Sequence, residues 1–123
     1  MNAVITGSTK GIGRAILMAL AAEGWNVAAT SRNLEDLEAL QAEVKKSFPK
    51  QECLIHWVDF SQKVETINYG KTIHAAWPHI DLLINNVGVF NPGSVHNEED
   101  GVLEATMSLN LYSPYHLTRT HTF

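Results

Sequence analysis

The sequence predicts an α/β fold in which a parallel sheet of strand order 3-2-1-4 carries helices on both faces. Three observations predict it. Short apolar segments alternate with segments of helical period along the chain, a pattern that requires crossovers and parallel pairing. The first apolar segment breaks into a glycine-rich turn, Gly7 to Gly13, and runs directly into a helix. The fourth leaves through a polar, glycine-bearing exit, Asn85-Asn86-Val87-Gly88.

The first strand opens at Asn2 and reads Ala-Val-Ile before the turn. Behind it, Ile12, Ile16, Ala19 and Leu20 recur at helical spacing and Gly24 stands where helices commonly end, so the first helix has about three turns. Asn26 to Thr30 is a second strand of small apolar residues. Asn33 is a good N-cap for the helix that follows, which carries Glu35 and Asp36 early and Lys45 and Lys46 late, as the helix dipole favours. Its expected buried stripe is Leu34, Leu37, Leu40, Val44 and Phe48, and Pro49 closes it. Cys53 to Val58 is the third strand. Asp59-Phe60-Ser61 leads into a helix through Val64, Ile67, Ile73 and Trp77, with Gly70 as its weak point and Pro78 as its end. Asp81 to Ile84 is the fourth strand, followed by a loop to about Asn97. From Glu98 onward Val102, Leu103, Thr106, Leu109 and Leu117 indicate helix, with Pro114 predicted to bend or break it. Together these elements make the first part of a doubly wound Rossmann-type sheet, whose ligand lies beyond the carboxyl ends of the strands where the order reverses, between the first and the fourth.

The 123 residues predict one domain, residues 1–123, with ordinary globular composition: 45% hydrophobic and 18% charged. A formal charge of -4 argues against a nucleic-acid partner or an acidic membrane surface. No apolar run approaches the length of a membrane span. Cys53 is the one cysteine, so no internal disulfide is expected, and no Cys/His set has structural zinc spacing. His74 and His79, like His116 and His121, stand five apart, which suits neither a helix face nor a strand pair, so no metal site is expected. With the first strand at the second residue, a cytoplasmic location is expected.

The glycine turn is built for an anion. Thr6, Gly7, Ser8, Thr9, Lys10, Gly11, Ile12 and Gly13 bring main-chain N–H groups and the positive end of a helix dipole to one place, and glycine lets the backbone approach a ligand closely. A pyrophosphate suits that place. Lys10 precedes Gly11 instead of following the last glycine, which sets the loop apart from those of ATP- and GTP-binding proteins. After the second strand, where NAD-binding folds usually carry an acid for the ribose hydroxyls, the chain reads Ser31-Arg32-Asn33. Arg32 can pair bidentately with a ribose 2′-phosphate, and Lys10 can approach the same group, so NADP(H) is expected over NAD(H). The alternative is that both are solvated surface cations.

The order Thr6-Gly7, three residues, Gly11, one residue, Gly13 resembles that of the short-chain dehydrogenase/reductase family. Asn85-Asn86-Val87-Gly88 resembles the family's Asn-Asn-Ala-Gly segment, with Val87 as a mild departure. The resemblance implies that Asp59 and the N–H of Phe60 hold the adenine, that Asn86, Val87 and Gly88 line the ribose, and that Asn110, within Ser108-Leu109-Asn110-Leu111, helps hold a water for proton relay. It implies an oxidoreductase that interconverts a small-molecule carbonyl and alcohol by hydride transfer. The family's catalytic Ser, Tyr and Lys are not matched: Tyr69, Tyr112 and Tyr115 are followed four residues later by Ile73, His116 and Arg119, where a Lys is required. The chain therefore reads as the cofactor-binding part of the fold, truncated before the later strands and inactive by itself, with Asn110 the lone member of the catalytic set. A non-catalytic NADP(H)-binding sensor or interaction module is the alternative. The apolar fourth strand, Leu82-Leu83-Ile84, is expected at an open sheet edge, which favours a homo-oligomer.

Overall fold

The computed structural model describes residues 1–88 and 99–119. The expected loop to Asn97 and the helix start at Glu98 lie outside or at the margin of these residues. Strands β1 (Asn2–Ile5), β2 (Asn26–Ser31), β3 (Cys53–Trp57) and β4 (Leu82–Ile84) form a parallel sheet in the order β3-β2-β1-β4. Helices α1 (Gly11–Ala22), α2 (Leu34–Ser47) and α3 (Lys63–Ala76) follow the first three strands. Beyond β4 come α4 (Val102–Met107), a wide π-type turn over Ser108–Tyr112, and α5 (Ser113–Arg119).

Alternation along the central strands divides the core in two. Ala3, Ile5, Val27 and Ala29 pack with Leu17, Ala21, Leu37, Leu40 and Val44 of α1 and α2, whereas Val4 and Ala28 pack with Tyr69 and Ile73 of α3, Trp77 at its end and Leu117 of α5. A strand covered on both faces must be apolar throughout, and Ala3, Val4 and Ile5 have no exposed surface. Each fully buried Leu, such as Leu17 or Leu37, contributes on the order of 1.5–3 kcal/mol.

The helix ends follow their sequence signals. Gly24, at φ 92°, terminates α1 with two bonds of a Schellman motif, its own N–H to the Ala21 carbonyl (3.0 Å) and the Trp25 N–H to the Leu20 carbonyl (3.1 Å). The Asn33 side chain caps α2 by accepting the Asp36 N–H at 3.1 Å.

The buried faces depart from the expected stripes. α1 rests on the sheet through Gly13, Leu17 and Ala21, while Ile12 is 73% exposed. Small residues at the contact line bring the helix close, and the larger Ile16 and Leu20 flank it half-buried. Leu34 and Val64 are likewise exposed. α3 continues through Gly70 and buries Thr66, a polar residue that stays inside because its hydroxyl donates to the Gln62 carbonyl one turn back (3.0 Å). Pro114 acts where expected. It has no N–H for the carbonyl of Asn110, and its ring crowds that carbonyl, so the helix widens immediately before it.

At the opposite end of the sheet from the glycine turn, Asp81 accepts the Asn2 N–H (2.8 Å) and contacts His79 Nε2 (3.0 Å), while Asn26 joins Asn2 to the Glu52 N–H. The Asn2 N–H, followed by His79, holds the Asp81 carboxyl below its ordinary range. Burial pushes the Cys53 thiol up to about 11, which leaves it protonated and unreactive at neutral pH.

Candidate functional site

Two loops meet where the strand order reverses, one leaving β1 and one leaving β4. The Thr6 N–H donates to the Ile84 carbonyl (3.0 Å), and the Thr6 hydroxyl accepts the Asn86 N–H (2.9 Å). The Asn86 side chain then donates from Nδ2 to the Gly7 carbonyl at 3.1 Å, which clamps the glycine loop to the exit of β4. On its other side the loop is tied to β2, since the Gly7 N–H donates to the Thr30 hydroxyl (3.0 Å) and the Ser8 N–H to the Thr30 carbonyl (3.3 Å). Thr30 was not among the sequence candidates.

Gly7 and Gly11 have φ of 62° and 58°, left-handed angles that other residues adopt only with strain. A side chain on Gly7 would also meet Val87 Cγ2 at 3.2 Å, so the valine that departs from the family's alanine tightens the need for glycine here. Gly13 is wedged: a Cβ there would overlap the Gly7 carbonyl oxygen and Asn86 Nδ2, the two partners of the clamp. This wedge seats the first turn of α1 against the loop. The N-cap Lys10 forms no side-chain capping bond and the first turn of α1 carries no acid. Those N–H groups and the dipole therefore suit an external anion. The buried Ser8 hydroxyl has no hydrogen-bond partner among the described residues, a further donor at the same loop.

Beside the loop runs a continuous groove made of two adjoining clefts. The outer cleft, about 580 Å³, is lined by Thr9, Lys10, Ser31, Arg32, Asn33, Asp36, Trp57 and Asp59. The inner cleft, about 290 Å³, shares Ser31, Arg32 and Asp59 and adds Gly7, Phe60, Asn86, Val87, Gly88 and Leu109 among its walls. Of the sequence candidates, Thr6, Ser8 and Gly13 are buried and line neither cleft, while Gly11 and Ile12 stand exposed at the start of α1, also outside both linings. The Phe60 side chain is a core group, packed edge-on against Tyr69 with ring centroids 5.8 Å apart, so only its main chain can serve the groove. Asn110 lies within the wide turn before Pro114 and approaches Gly88: a Cβ on that glycine would stand 3.2 Å from Asn110 Oδ1.

The electrostatics of the outer cleft are mixed. Arg32 is exposed on its wall, whereas Lys10 Nζ lies 3.6 Å from Asp36 Oδ2 and so brings its own counterion. Asp59 Oδ1 accepts both the Ser61 hydroxyl (2.7 Å) and the Ser61 N–H (3.0 Å). The Ser61 hydroxyl bond first, then its N–H and the nearby Arg32 charge, hold the carboxyl below its usual range despite some burial. Asp59 is thus an ionised acceptor at neutral pH that also shapes the turn into α3. Sequence reasoning missed Asp36 and Trp57 as groove residues. The available signal for Trp57 was its place two residues before Asp59, at the carboxyl end of β3 where the ligand of such a sheet lies.

Among the described residues no group of three His, Cys, Asp or Glu is placed to hold a metal ion, and no helix is long and apolar enough to cross a membrane.

A family model described as short chain dehydrogenase matches residues 1–122. The 2,3-dihydro-2,3-dihydroxybenzoate dehydrogenase of Bacillus subtilis is 33% identical over 118 residues, covering 96% of this chain and 44% of that protein. A metagenomic short-chain oxidoreductase solved in complex with NADP superimposes with a TM-score of 0.90 at 32% identity, over 98% of this chain and 54% of that one. L-sorbose reductase from Gluconobacter frateurii, complexed with NADPH and L-sorbose, gives a TM-score of 0.91 at 25% identity, over 97% of this chain and 45% of that one. The chain spans less than half the length of the curated relatives it matches.

Proposed function

The chain belongs to the short-chain dehydrogenase/reductase family, and from that premise we propose that it binds NADP(H) along the groove as the cofactor-binding part of a cytoplasmic oxidoreductase. The observation that carries this reading is the uncapped, acid-free start of α1, held against the Asn86 clamp by Gly13, beside a groove walled by Arg32. In it the N–H groups of the loop from Thr9 to Gly13, with the Ser8 hydroxyl, take the pyrophosphate, and Arg32 takes the ribose 2′-phosphate. Ionised Asp59 accepts from the adenine amino group and the Phe60 N–H donates to the ring. Asn86, Val87 and Gly88 flank the inner ribose, and Asn110 beside Gly88 offers an amide donor and acceptor for a relay water. When bound, the nicotinamide supplies a hydride to the carbon of a small-molecule carbonyl, or takes one from an alcohol.

Titration of NADPH and NADH into the wild type and Arg32→Ala tests the phosphate assignment. Loss of a charged hydrogen-bonding partner removes about 1.5–3 kcal/mol, so NADPH affinity should fall about 10- to 100-fold in the variant, with NADH within twofold. Equal affinity for both cofactors in the wild type, unchanged by the substitution, rules the assignment out.

The same reading includes self-association. β4 ends the sheet among the described residues, and Leu103, Leu111 and Tyr115 along the helical segment after it are more than half exposed. Sedimentation velocity over a concentration series should give a species heavier than one chain, and a sharp monomer at the highest concentration contradicts this part of the proposal.

A further inference from the structure

We propose that Trp57 is a positioning residue for the groove: its indole fixes the main chain of Arg32 and thereby sets the discrimination between phosphorylated and unphosphorylated nucleotides. The inference rests on the NADP(H) reading above and extends it to a residue that touches no catalytic group.

Arg32 is the first residue beyond β2, where the ladder with β3 has ended at the pair Ser31 and Trp57. Its side chain is exposed, so little packing orients it. The turn is held instead at three points. The Val58 N–H donates to the Ser31 carbonyl (3.2 Å), the Asn33 N–H to the Ser31 hydroxyl (3.0 Å), and Trp57 Nε1–H to the Arg32 carbonyl (2.9 Å). Only the third acts on Arg32 itself. The Ser31 hydroxyl also lies 3.4 Å from that of Thr9, which links this turn to the glycine loop.

Trp57 is large, apolar and 50% exposed at the end of an edge strand, a costly place for an indole that serves only the core. Its ring stands in the wall of the outer cleft together with Arg32, Lys10 and Asp59. A guanidinium pairs bidentately with a phosphate only within a narrow range of orientations, so fixing the backbone that carries it raises affinity by preorganisation. Global stability depends little on this bond, because an exposed carbonyl that loses its partner is taken up by water.

Trp57→Phe keeps an aromatic ring and removes the donor. NADPH and NADH are titrated calorimetrically into the wild type, Trp57→Phe and Arg32→Ala, with melting temperatures measured alongside. The expected result is a loss of NADPH affinity of about three- to tenfold in Trp57→Phe, the size of one hydrogen bond, with NADH affinity and melting temperature unchanged. A parallel loss for both cofactors, or an unchanged ratio, overturns the inference. In ¹⁵N-labelled wild type the Trp57 indole N–H resonance should shift on saturation with NADPH and much less with NADH. Equal shifts contradict the inference without recourse to a variant. If the wild type binds neither cofactor the NADP(H) reading itself fails, whereas binding with an Arg32-dependent preference that ignores Trp57 sinks this inference alone.

Discussion

Gly13→Ala is expected to lose NADPH binding by more than about 30-fold and to melt earlier than the wild type. The methyl group would sit on the Gly7 carbonyl oxygen and on Asn86 Nδ2, with Ser8 Cα at 3.1 Å as a third obstruction. None of these can yield cheaply, since the first two are the ends of the 3.1 Å hydrogen bond that joins the glycine loop to β4. Overpacking of this kind costs roughly 1–3 kcal/mol, a fall in melting temperature of about 5–15 °C for a chain of this size. The loss of affinity has a separate origin: displacing the loop misdirects the N–H groups proposed to hold the pyrophosphate, and each bond to a charged group is worth about 1.5–3 kcal/mol. Gly11→Ala is the contrast. Gly11 has a left-handed φ of 58° but open space around a Cβ, so only about 1–2 kcal/mol of backbone strain follows, with NADPH affinity within a few-fold. Circular dichroism melts and cofactor titration of both variants check the pair. A Gly13→Ala protein that binds NADPH like the wild type would show that the wedge is not needed for anion binding.

That wedge marks the boundary of what the sequence makes legible. Signals that act over a turn or two were sufficient: Gly24 closes α1, Asn33 caps α2 and Pro114 disturbs the last helix because each effect is local. Strand order followed from alternation and from the two glycine-bearing exits, which must meet at the switch point. The roles that were not legible depend on partners brought together by folding. Gly13 reads as one more loop glycine until Asn86 is placed against it. Trp57 reads as the apolar end of a strand until parallel pairing sets it opposite Ser31 and within reach of the Arg32 carbonyl. The exposed Ile12 and Val64 and the buried Thr66 show why apolar periodicity misplaces a helix face: close packing at Gly13 and a self-satisfied hydroxyl at Thr66 select the contact line, and neither is measured by hydrophobicity.

The purified 123-residue polypeptide is expected to bind NADPH and to oxidise none of it with any carbonyl offered. Carbonyl reduction needs a proton delivered to the developing alkoxide, and a positioned acid is worth on the order of 10²- to 10⁴-fold. The resemblance assigns that role to a tyrosine whose acidity is raised by a lysine one helical turn on, and the tyrosines described here lack both setting and partner. Tyr69 is 3% exposed and packed between Phe60 and His56, and burial pushes its hydroxyl up, away from the acidity required. Tyr112 is followed by His116 in the lysine's place. Tyr115 has Arg119 one turn on, but that guanidinium lies over the ring, 5.5 Å from its centroid, where it contacts the π face. Asn110, to which the resemblance gives the relay water, carries an amide and not an acid, so it cannot stand in for the proton donor. Loss of the reduced nicotinamide absorbance with a panel of ketones and aldehydes, against a protein-free blank, is the measurement. Turnover above the blank that disappears in Asn110→Ala would reveal a proton donor that this arrangement does not contain. Turnover indifferent to Asn110 would place the chemistry outside the groove altogether.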